Sequence, residues 1–238
     1  MKRFLIIASV FLSIGALAKE PRKYITETDK YIVWQPGVKL TFDMFMKNEP
    51  TDKDLKSMKD DNRKSMPYLG FYRVLDVPKH FSKKKSNMEK AYFCATFSKH
   101  QSYMAERDSF DLQIAQAHWD IIELATRRSR ITLDHFQKQA DSLANGPVSG
   151  VKSIWFETAY QIGNDLYNEL LYGLFKEVIL PRDKEMYIKY RGLLDELLLS
   201  TSDYATTPEE AERLLLKKPI DKNLKQAKNV IGDLRKKD

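Results

Sequence analysis

Cysteine is nearly absent from this chain: Cys94 is the single one in 238 residues. One thiol cannot close an intramolecular disulfide, which excludes a disulfide-stapled scaffold, and it cannot hold a metal alone. Glycine and proline are scarce, nine of each, so collagenous repeats and Gly/Pro-rich disordered polymers are excluded as well. The four histidines are His80, His100, His118 and His135, and a metal proposal draws on them, on Cys94 and on the carboxylates. Beyond residues 4–18, no window holds about 18 uninterrupted apolar residues, the length a membrane-spanning helix needs. What is present is 42% hydrophobic and 31% charged residues. That supplies a core for one domain, or for one domain with an appendage.

Lys2 and Arg3 precede an apolar run over 4–18 that ends in Ala16-Leu17-Ala18 and is followed by Lys19-Glu20. A basic start, a short apolar stretch and small residues at a cleavage point make a secretory signal, cut after Ala18. An uncleaved N-terminal anchor is the alternative, although the run is short for a span. No cysteine follows the small residues, which argues against a lipoprotein anchor. The expected mature protein begins at Lys19, has no transmembrane span and is periplasmic or secreted.

The formal net charge of +7 suggests a polyanionic partner until its distribution is read. Residues 213–238 hold nine basic and three acidic side chains, and residues 19–212 carry a net −1. With a near-neutral body, the net charge is no evidence for a nucleic-acid-binding domain, and no nucleic-acid partner is expected. Ile220, Leu224, Ala227, Ile231 and Leu234 fall on one helical stripe with lysines opposite. Residues 201–238 are therefore expected to form a basic helical appendage, able to lie on an anionic envelope surface, to dock on a partner or to pack on its own domain.

Residues 31–34, 38–45, 68–75 and 91–97 are rich in aromatic and β-branched side chains and are separated by polar loops at 47–64 and 79–87. They predict a small sheet of three or four strands. After Gln101 the pattern turns helical, with breaks at Gly146-Pro147, Pro181, 200–208 and Pro219. Thr207-Pro208-Glu209-Glu210 combines a capping box with proline at the first helical position and marks a helix start. Strands first and helices afterwards give an α+β fold: a small N-terminal antiparallel sheet packed on long helices, as one domain over 19–200.

Phe110, Ile114, His118, Ile121, Ile122 and Ala125 recur at helical spacing and form one apolar stripe, with Asp120, Arg127 and Arg130 on the other, solvated side. His118 in that stripe points at the sheet or at a cleft above it. A lone imidazole on an apolar face is more often a hydrogen-bonded core residue than a ligand. Asp120 and Glu123 are expected to be solvated or paired, as Glu123 with Arg127 one turn on, rather than to act as catalytic carboxylates. The aromatic series Trp155, Phe156, Tyr160, Tyr167, Tyr172 and Phe175 is expected to pack in the core. Lys79, Lys83, Lys84 and Lys85 read as a solvated loop tip. Ser149-Gly150 and Gly163-Asn164 lack the pattern of a nucleophile elbow or phosphate loop and are assigned no chemistry.

The string from Ile114 through Ala115, Gln116, His118, Trp119, Asp120, Ile121, Glu123 and Arg127 resembles the helix of a family of secreted bacterial proteins described as predicted zinc-dependent proteases. That helix carries H-E-Q-x-H, then an aromatic residue, Asp, Ile, a small residue and Glu, and an arginine-rich turn. Trp34, Leu40-Thr41-Phe42 and Asp43-Met44-Phe45 are similar to the family's N-terminal strand. The resemblance implies a zinc peptidase scaffold over about 31–190.

The chemistry of that motif is simple. Two histidines four apart reach one zinc from one helix face, and the glutamate between them takes a proton from the zinc-bound water. Here Ile114 stands at the first histidine position and Ala115 at the glutamate position, so the ligand pair and the base are both missing. The family's downstream histidine aligns with Tyr172. The resemblance thus implies an exported envelope protein with a degenerate site in which His118 is vestigial, no cofactor is bound, and the role is binding or structural. Two alternatives stay open: an active metal-dependent peptidase with a zinc site rearranged around His118, drawing on His80, His100 or Cys94, and an envelope surface binder acting through the basic C-terminal helix. His118 and His135 are 17 residues apart on one helix, roughly 25 Å along its axis, and cannot share a metal.

Overall fold

In the computed structural model, residues 22–80 and 88–228 are described. The expected export signal, Lys83 to Lys85, Ile231 and Leu234 lie outside these residues. Two long strands, β3 (Leu69–Pro78) and β4 (Lys90–Ser98), form an antiparallel pair with Phe71 opposite Ala95 and Tyr72 opposite Cys94. The short strand β1 (Tyr31–Val33) adds to β4, and β6 (Leu224–Gln226) adds to β3, giving the order β1-β4-β3-β6. A two-residue pair, β2 (Ser65–Met66) with β5 (Tyr103–Met104), makes a separate ladder.

Because strand side chains alternate, Leu69, Phe71, Leu75, Phe93, Ala95 and Phe97 face one side of the sheet, where they pack against α2 (Ser109–Leu143) and α3 (Val151–Leu174). Tyr72, Asp76 and Cys94 face the other side, part of which is covered by α5 (Pro208–Leu216) through Ala211, Leu214 and Leu215. Sequence order and layers are those of an α+β fold.

Helix α2 is the axis of the molecule. Asp108 caps it by accepting from the N–H groups of Phe110 and Asp111, and its 35 residues run for roughly 50 Å. The expected single stripe is divided among several neighbours. Phe110, Ile114, Ala117, Ile121 and Leu124 meet Leu174 at the end of α3, Val178 and Ile179 of the π-helical turn that follows it (Phe175–Ile179), and Tyr187, Tyr190 and Leu194 of α4 (Lys184–Ser200). Ala115, Trp119 and Ile122 instead meet Ile32, Trp34, Ala95 and Phe97 on the sheet side. Gly163 lets α3 approach α2 closely: a Cβ there would sit 2.3 Å from Ser129 Oγ and 2.5 Å from the Ala125 carbonyl oxygen.

Four expectations are corrected. Residues 38–45 form no strand: they carry a single turn of 3-10 helix at Phe42–Met44. The loop at 47–64 contains α1 (Asp52–Asp60), started by a Thr51/Asp54 capping box. Leu224 and its neighbours are not helical: Leu224–Gln226 pairs with Asp76, Val77 and Pro78, and Leu224 is buried there. Of the face expected to be solvated, Asp120 and Arg127 are at most 2% exposed and the Arg130 side chain 11%, while the expected pairing of Glu123 with Arg127 is present at 2.9 Å. The Thr207 capping box and the breaks near 146, 181 and 200–208 are where the sequence places them.

Candidate functional site

The polar side of α2 is buried because other segments wrap it. Gln116 and Asp120, one turn apart, meet the chain around Trp34 and Leu40: the Leu40 N–H donates to Gln116 Oε1 at 2.8 Å, and Gln116 Nε2 donates to Asp120 Oδ1 at 2.9 Å. The Trp34 indole N–H reaches the same Asp120 oxygen at 2.7 Å, and Arg191 of α4 donates to the other at 2.6 Å. One turn further on, Glu123 takes four donors: Arg127 Nε at 2.9 Å, the Thr206 N–H at 2.9 Å, Thr206 Oγ1 at 2.6 Å and Thr126 Oγ1 at 3.0 Å. Arg127 also donates to the Leu198 carbonyl at 2.6 Å and lies 5.0 Å over the Trp34 ring. Every carboxylate oxygen here is engaged, so Asp120 and Glu123 are joints between α2, the N-terminal segment and the α4–α5 connection. They are not poised for catalysis.

His118 points away from the sheet, toward α3. Its Nε2 is 3.0 Å from Tyr167 Oη, and the two rings stack at 5.8 Å with 19° between planes. The imidazole pKa is pushed down to about 4, first by loss of hydration and then by the nearby Arg63 cation. It is therefore neutral at pH 7 and shares one hydrogen bond with a phenol whose own pKa burial raises.

Beside it opens a cleft of about 350 Å³ between α2, α3 and the loop after α1. Its polar lining is His118, Asn168, Tyr172, Asp61 and Arg63, and its apolar wall is Leu171, Phe175 and Ile179. Arg63 and Asp61 are ion-paired with each other. The structure thus brings two of the sequence-selected positions, His118 and Tyr172, to one cleft. It sends Ile114 into the core against α4 and Ala115 into the core against the sheet. Tyr172 is 64% exposed on the rim, and Trp155 is also partly exposed, so the aromatic series divides between core and surface.

The donors around this cleft do not fit a catalytic zinc ion. That site needs three well-placed nitrogen, sulfur or carboxylate ligands and a base beside them. Here one imidazole stands with a phenol, an amide and a carboxylate already held by an arginine. His80, His100 and His135 are exposed elsewhere, and Cys94 is buried under α5 on the far face of the sheet, where burial pushes its thiol pKa up. Among the described residues no three His, Cys, Asp or Glu side chains converge as ligands do. Also among these residues, no helix is long and apolar enough to cross a membrane.

Tyr167 and Asn168 stand in the same α3 segment as Tyr172, Asn168 one turn before it, so helical spacing carried the information to find them. Arg63 enters from a loop and left no pattern in the sequence. Comparison of the chain with known protein families, with curated proteins and with solved structures finds no match.

Proposed function

We propose that this chain is an exported cell-envelope protein with a zinc-protease-like scaffold and no catalytic apparatus, serving as a binding or structural component. The observation that carries this reading is the fate of Ile114 and Ala115. Both are packed into apolar cores with no polar atom to offer, and His118 is left as a neutral hydrogen-bond partner of Tyr167. The partner is an envelope protein or an anionic envelope surface. Nucleic acid is disfavoured by the near-neutral body.

Metal analysis of the purified mature protein tests it. Zinc well below one equivalent, unchanged by His118→Ala, and no chelator-sensitive cleavage of an unfolded protein substrate are expected. Stoichiometric zinc that H118A abolishes would overturn the reading. Export is tested separately by fractionation and N-terminal sequencing, with Lys19 as the expected first residue; an intact Met1 in the cytosol refutes it.

A further inference from the structure

A second concavity, of about 580 Å³, lies on the face of the sheet opposite the His118 cleft. Val74 and Thr96 of the two central strands line its floor, with Tyr31, Tyr72, Leu214 and Leu215 around them. Tyr72 is 43% exposed and offers one face of its ring. This volume is within the range of about 300–1,000 Å³ typical of small-molecule pockets, and so is the mixture of aromatic and aliphatic walls with a few polar groups.

The polar group that distinguishes this groove from a gap in packing is Arg213. Its residue is 0% exposed, and it spends Nε and Nη2 on Asp76, at 2.6 Å each, with Gln226 a third, weaker acceptor at 3.3 Å. Its Nη1 is buried and has no hydrogen-bond partner among the described residues. A buried donor left unpaired is costly, more so on a charged group, and native structures keep few of them. Arg213 is among the residues lining the groove, and the unmet donor belongs to that side chain. At the rim stand Lys30 and Lys217 against one carboxylate, Asp29, and all three are exposed. Asp76 is neutralised by Arg213 itself, so the potential at the mouth is positive.

We infer that this groove binds a small amphipathic anion, a molecule with an apolar aliphatic or aromatic body that ends in a carboxylate. The body lies along Tyr31, Tyr72, Val74, Leu214 and Leu215. One carboxylate oxygen accepts from Arg213 Nη1, and the rim ammonium groups balance the charge. A carboxylate is favoured over a phosphate because the mouth carries one net positive charge, Lys30 and Lys217 against Asp29, which matches a singly charged anion. The site is independent of the zinc-protease-like reading and stands or falls without it.

Calorimetric titration of the full mature chain with sodium decanoate, decanol and decyltrimethylammonium tests the assignment. Decanoate should saturate one site at least about tenfold more tightly than either of the others, a difference of about 1.4 kcal/mol. Methyl resonances of Val74, Leu214 and Leu215 should shift on titration. Lys217→Glu should weaken decanoate binding, and Val74→Trp, which fills the floor, should abolish it while far-UV circular dichroism shows the fold intact. Substitution of Arg213 strands Asp76 and threatens the fold itself, so the groove variants carry the test. Absence of saturable binding, equal affinity for decanol, binding that survives V74W, or shifts confined to the His118 cleft would each overturn the proposal.

Discussion

Glu123→Gln separates two descriptions of the long helix by a measurable amount. On a solvated helix face, changing glutamate to glutamine alters stability by less than about 0.5 kcal/mol. In the structure Glu123 is 0% exposed, its carboxylate takes four hydrogen bonds, and Arg130 Nη1 lies 3.7 Å away. Glutamine keeps the shape but removes the charge, and it turns one acceptor oxygen into a donor aimed at hydroxyls or at arginine. Arg127 is then a buried cation with a carbonyl, a hydroxyl and the face of the Trp34 ring for company, and no anion of its own. Removing one partner of a buried pair costs about 3–5 kcal/mol. At about 2–4 °C of melting temperature per kcal/mol for a chain of this size, that is a fall of roughly 6–20 °C. Urea denaturation followed by circular dichroism should show a lower midpoint at unchanged slope. Glu169→Gln, on an exposed position of α3, should be nearly neutral. A double Glu123→Leu, Arg127→Met variant should lose less than the sum of its single changes, because the stranded charge goes with its partner. A cost below about 1 kcal/mol for E123Q would refute the account of Glu123 as a buried joint.

Two further predictions rest on other parts of the helix. The folded-state pKa of His118, about 4, is below the 6.5 of a free imidazole, so between those values the unfolded chain binds the extra proton. The histidine's contribution should be constant above pH 6.5, decline as pH falls and be lost by pH 4, to a limit of about 3 kcal/mol. Subtracting the pH–stability curve of His118→Phe from that of the wild type isolates this component, and a flat difference would refute it. Gly163→Ala should destabilise by about 1–3 kcal/mol, since its Cβ meets Ser129 and the Ala125 backbone. Gly146→Ala, where a Cβ meets nothing within 4 Å, should be neutral or slightly stabilising; equal effects would refute the close-packing account.

The features legible in the sequence were those with a local signal: the two central strands, the Thr207 cap and the helix breaks. The environment of Asp120, Glu123 and Arg127 was not legible, because a hydrophobic pattern reports which face is apolar and not whether the other face meets water. Here it meets Trp34, Arg191 and Thr206, contributed by three distant segments. Leu224 to Gln226 is too short for a two-residue alternation to compete with a helical stripe. The Thr51/Asp54 box was a readable start for α1 that the surrounding polar composition obscured. For the cleft, the α3 spacing pointed to Tyr172 and its neighbours, whereas Arg63 is brought in by a loop.

The sheet also sets an order of events. Asp76 and Arg213 are 137 positions apart, and Glu123 and Thr206 are 83 apart; β3 obtains its second neighbour only from residues 224–226. Each contact joins a segment synthesised early to one synthesised late, and distant closures are made slowly. A growing chain has the β3–β4 hairpin and α2 well before it has partners for Asp76 or Glu123, so those carboxylates remain hydrated until α5 and β6 emerge. The final described segments therefore close the structure in time: the buried partners of Asp76 and Glu123 are complete only once residues 206–226 are present.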